Sequence, residues 1–246
     1  MNFPTVVSQN TILQSMAYQD TPVGFALHRD AISDVVLCCV REVLYLQNLI
    51  TLESGDSASI NDLQASIEAR LVFHETTCKI LGPIAECCRL GVYMVCYMSH
   101  ANTWNSSFVP LRLAEKLLAL LDITLSSDWW IFRRDLLLWL LLVGASVSND
   151  DACFAEALGS QYQDFIKRVS GEAKTWPDLH EGIAPVQTAL GGFIYSQDWV
   201  VRRQSIPHWA QLERALSEPT PSELEFTVAE ESPPCQRLES NPDIFW

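Results

Sequence analysis

Leu136 to Val143 is a run of eight consecutive apolar residues with Trp139 in its middle, and no other stretch of this chain is harder to accommodate. A membrane span needs roughly 18 to 20 such residues. Arg133, Arg134 and Asp135 lie directly upstream, so insertion would begin on three charges. The alternative is a helix buried on all sides, because a helix that is apolar all round has no face to offer to solvent. Such a helix demands a large core, which 246 residues at 48% hydrophobic and 19% charged content can supply. Ser126 or Ser127, followed by Asp128, reads as its N-cap, and Gly144-Ala145 stands where the apolar run ends. The expected central helix therefore covers about 126–148.

Helical periodicity recurs on both sides of this run. Ile32, Val35, Val36, Val40, Val43, Leu44 and Leu46 follow the i, i+3, i+4 rule from about Asp30 to Leu52. Ser59 with Asp62 reads as the cap of a second helix, which places Ile60, Leu63, Ile67, Leu71, Cys78 and Leu81 on one face and stops at Gly82-Pro83. A third, nearly all apolar, runs from Pro83 to Met98. After the turn-rich stretch 100–107, Pro110 opens a fourth, with Leu111, Leu113, Leu117, Leu118 and Leu121 at helical spacing. Asn149-Asp150-Asp151 caps a sixth through Phe154, Leu158, Phe165, Ile166 and Val169 to Gly171. A seventh begins at Thr175 and is bent or split by Pro185 and Gly191-Gly192. The expected fold is all-α, an irregular multi-helix domain around the buried central helix.

The ends have a different composition. Residues 1–27 have no clear period and contain Pro4, Pro22 and Gly24, so they read as an irregular lead-in to a domain at 28–215. Residues 210–246 carry eight acids against Arg214 and Arg237, together with five prolines. Such a segment cannot bury enough apolar surface to offset its ordering entropy, so 216–246 reads as an acidic, Pro-rich disordered tail. Interspersed with its acids are Leu224, Phe226, Ile244, Phe245 and Trp246. Bulky residues kept solvated by acids suit a segment that docks into a partner's groove, and these five are the candidate partner-binding residues.

Most catalytic and cofactor patterns fail on inspection. The net charge of −14 argues against gripping phosphate backbones, because nucleic-acid affinity rests on clustered Lys and Arg. The N-terminus has neither the basic start nor the apolar core of a secretory signal, so the eight cysteines are expected to remain thiols. No CxxC spacing occurs among them. His74-Glu75-Thr76-Thr77-Cys78 comes one residue short of the HExxH zinc motif, and no third ligand is marked. Asp150-Asp151 and Asn61-Asp62 invite comparison with the magnesium-binding acids of all-α terpene cyclases. Phe154 and Ala65 stand where further ligands belong, however, and capping accounts for both clusters. GxGxxG, GxxxxGK[ST] and GxSxG are absent. The expectation is a non-enzymatic chain with no cofactor and no bound metal.

Three pieces of the sequence form a recognisable order. Cys88-Arg89-Leu90-Gly91-Val92 places an Arg in an apolar helix. Leu137-Leu138-Trp139 leads to Gly144-Ala145. Trp176, Leu190-Gly191-Gly192-Phe193-Ile194-Tyr195 and Trp209 close the series. Together, over roughly residues 30 to 210, they resemble the C-terminal regulatory region of fungal transcription factors of the binuclear zinc-cluster class, the fungal-specific transcription factor domain. Tyr195 departs from that pattern, where a Trp is usual, and Pro185 interrupts a helix that is usually whole. The six-cysteine zinc cluster that reads DNA in the family is not in this sequence.

The resemblance implies a regulator that works through protein partners, either a zinc-cluster factor or a coactivator, without direct nucleic-acid or membrane binding. It implies a nuclear location, with the cytoplasm as the alternative, and leaves room for a small-molecule effector. Two other classes stay open on sequence alone: an all-α ligand-sensing or interaction module with no role in transcription, and an all-α enzyme of terpene cyclase type.

Overall fold

Helix caps and breaks set the course of this chain, and two of them differ from the sequence expectation. In the computed structural model the described residues are 20–52, 55–99, 108–126, 128–147, 153–172 and 192–194. Among them the secondary structure is helical, with no strand: α1 (Val23–Leu27), α2 (Asp34–Thr51), α3 (Ser57–Phe73), α4 (Glu75–Leu81), α5 (Pro83–Ser99), α6 (Val109–Thr124), α7 (Arg134–Val147) and α8 (Cys153–Glu172). Short 3-10 turns at Arg29–Ala31 and Asp128–Trp130 precede α2 and α7. The chain is all-α, as its periodicity predicts. No helix of the described residues is long and apolar enough to cross a membrane. The stretch 100–107, the Asn149–Asp151 cap, the helix expected from Thr175 and the tail 216–246 lie outside the described residues.

The first break explains why one expected helix is two. The sequence predicts a single helix capped at Ser59 and ending at Gly82. The cap is instead Asp56, whose carboxylate accepts from the Ser59 N–H at 2.8 Å and the Ser59 hydroxyl at 2.7 Å. Three residues beyond Arg70, α3 stops and α4 begins, hinged at His74. The cause lies outside the segment. Arg89 Nη1 donates to the Leu71 carbonyl at 3.0 Å, and a side chain inserted into the i→i+4 ladder is one of the few things that interrupts a helix lacking Pro or Gly. Gly82 then ends α4 with φ 125°, a backbone region essentially reserved for glycine, and Pro83 starts α5.

The second break shortens the central helix. Ser126 does not cap it, and Ser127 lies outside the described residues. The chain makes the Asp128–Trp130 turn, in which the Trp130 indole donates to Thr124 Oγ1 at 3.0 Å, and α7 begins only at Arg134. That hydrogen bond gives the buried indole N–H its partner and pins the turn to the end of α6. From Leu136 to Gly144 every residue of α7 is buried.

The centre of the fold is shared between α7 and α5. Fourteen of the seventeen residues of α5 are buried, and it packs against α2, α3, α4, α6 and α7. The other side of α7 is closed by α8, where Tyr162 lies fully buried over Gly144 and donates to the Ala114 carbonyl of α6 at 2.7 Å. At ~1.5–3 kcal/mol for each fully buried large aliphatic or aromatic side chain, these two helices are the main source of the fold's apolar stabilisation. Residues 23–27, expected to belong to an irregular lead-in, form α1 and place Gly24 and Phe25 in the core.

Candidate interaction site at Trp139

Position 139 falls on the buried stripe of α7, and the apolar run around it leaves the indole one unmet need, a partner for its N–H. That partner is the Ile194 carbonyl, at 3.1 Å and 55 residues downstream. The indole stacks on the Phe193 ring with centroids 5.6 Å apart and planes 18° apart. Phe25 of α1 meets both rings edge-on, 5.0 Å from Trp139 and 5.1 Å from Phe193. Edge-to-face and offset-stacked pairs at these separations add ~0.5–1.5 kcal/mol each beyond area burial.

Two glycines let the backbones approach. A Cβ on Gly91 of α5 would lie 2.8 Å from the Trp139 ring and from Leu140 Cδ2. A Cβ on Gly24 would lie 2.6 Å from the Gly192 carbonyl oxygen and 2.7 Å from the Phe193 ring. With hydrogen there instead, the Gly24 N–H donates to that same Gly192 carbonyl at 2.6 Å. The tripeptide Gly192–Ile194 thus packs against α1 and α7, held through two main-chain carbonyls and one buried aromatic ring.

A polar latch borders this contact. His28, buried beyond the end of α1 and lying nearly parallel to the Phe193 ring, hydrogen-bonds through Nε2 to Asp135 Oδ1 at 2.8 Å. Burial pushes the Asp135 carboxyl up, but the hydrogen bond and charge of His28 outweigh it and hold the group below the usual carboxylate value. Arg133 pairs with Asp30 at 2.7 Å. These two pairs bring the Ile131–Phe132 turn to the end of α1. Val23 and Leu27, one helical turn apart on α1, are about 70% exposed, and Phe132 is 83% exposed.

A second buried polar feature lies on the far side of α5. Arg89 donates to both carboxylate oxygens of Glu86 at 2.7 Å, and both side chains are almost fully buried. With the Leu71 carbonyl as its third acceptor, the guanidinium ties α5 to the last turn of α3. Glu42 of α2 is likewise buried and ion-paired with Arg70 of α3.

The candidate residues named from sequence fall as follows. Leu224, Phe226, Ile244, Phe245 and Trp246 lie outside the described residues. His74 is at the α3–α4 hinge, and the Cys78 sulfur is buried 3.8 Å from Ser33 Oγ. Among the described residues no group of three or more His, Cys, Asp or Glu could hold a metal ion. Asp62 is exposed and Glu68 accepts from Gln64 at 2.7 Å, while Asp150 and Asp151 lie outside the described residues. The sequence reading missed Gly24, Phe25 and His28. Their one local signal is the apolar run Val23–Leu27 following Pro22, which is too short to be weighed by periodicity. No family model, curated protein or solved structure matches this chain.

Proposed function

We propose that this chain is a non-catalytic, helical regulatory domain of the fungal-specific transcription factor type, acting in the nucleus through protein contacts. The observation that carries this reading is a convergence. The three sequence pieces of the resemblance, around Gly91, around Trp139 and around Phe193, meet at one indole although they are spread over a hundred residues. A hydrophobic likeness scattered along a chain means little; that its pieces pack on each other supports the reading. The buried Arg89 gives the first piece a physical role, holding α3 to α5.

In this reading the acidic tail engages a coactivator through Leu224, Phe226, Ile244, Phe245 and Trp246. A zinc-cluster protein supplies the DNA contact that a chain of net charge −14 does not. The test is a fusion of the whole chain to an unrelated DNA-binding module in a nuclear reporter assay. The fusion is expected to change reporter output, and replacing the five bulky tail residues by Ala is expected to abolish the change. Output equal to that of the bare DNA-binding module would overturn the reading.

A further inference from the structure

We draw no further inference here: the strongest candidate, the side-chain cluster between α2 and α3 in which the half-buried Cys38 thiol lies 3.7 Å from Glu42 Oε1 and 3.9 Å from Arg70 Nη1, is a single cysteine beside an ion pair that already ties the two helices, and nothing in the structure points to a ligand or reactant for it.

Discussion

Gly91 and Trp139 touch across α5 and α7 so closely that a Cβ on residue 91 would lie 2.8 Å from the indole ring. Neither partner can be changed independently of the other. Trp139→Ala removes the stacking surface of Phe193 and the donor to Ile194, and is expected to destabilise the fold by roughly 3–5 kcal/mol, as core aromatic truncations do. Gly91→Val overpacks the same contact and is expected to cost about 1–3 kcal/mol. Reversible urea unfolding measures both. A loss under about 1 kcal/mol for Trp139→Ala would mean that the indole does not hold this junction together.

The Glu86–Arg89 pair makes a different prediction, because its two members are buried together. Removing one leaves the other charged and unpaired, so Glu86→Ala is expected to cost roughly 3–5 kcal/mol. Arg89→Met should cost a similar amount, since it strands both the Glu86 carboxylate and the Leu71 carbonyl. Replacing both, Glu86→Leu with Arg89→Met, is expected to recover much of the loss, although Leu71 still lacks its donor. A double-mutant cycle in chemical denaturation checks this. Strictly additive costs would show that the pair contributes no coupling.

These two sites also show what the sequence can and cannot disclose. Trp139 and the apolar faces of α5 and α7 are legible because burial of a whole helix leaves a near-continuous apolar run. Gly82-Pro83 is legible because a helix stop is a local event. The α3–α4 hinge is not, because its cause is a guanidinium eighteen residues from the carbonyl it takes. The sequence points to Ser59 as the cap, and Asp56 takes the role for a related reason. Both are capping residues three positions apart, and the winner is the one whose carboxylate accepts from the other. Likewise α1 means nothing in isolation. Five residues acquire a structure through Trp139 and Gly192, far along the chain, and His28 finds Asp135 across 107 positions.

The His28–Asp135 latch has a pH signature. The Asp135 carboxyl is held below its ordinary value in the folded chain. A depressed folded pKa contributes stability that is fully present above the unfolded pKa of ~3.9 and is lost as pH falls through the folded one. Wild type should therefore exceed Asp135→Asn in stability at about pH 5 and converge on it as the pH is lowered toward about 2. Installing His28→Phe in both chains removes the main depressing influence and should flatten that convergence. Urea midpoints across this range supply the test. A wild-type advantage that persists unchanged to the acid limit would mean that the carboxyl is not stabilised by His28.

Thiol reactivity tests the core directly. Burial pushes the thiols of Cys39, Cys78, Cys87, Cys88 and Cys96 up, that of Cys39 to about 11. Since the thiolate is the reactive species, burial slows these groups twice, by denying access and by holding the proton. Cys38 differs from them in being half-buried on the outer side of α2. In a chain carrying Cys153→Ser and Cys235→Ser, a thiol-specific chromogenic disulfide at pH 8 is expected to titrate Cys38 alone while the protein is folded. All six thiols should react in denaturing urea. Prompt reaction of Cys87 or Cys88 under native conditions would mean that α5 is not enclosed, and the packing of α2, α3, α4, α6 and α7 around it would have to be redrawn.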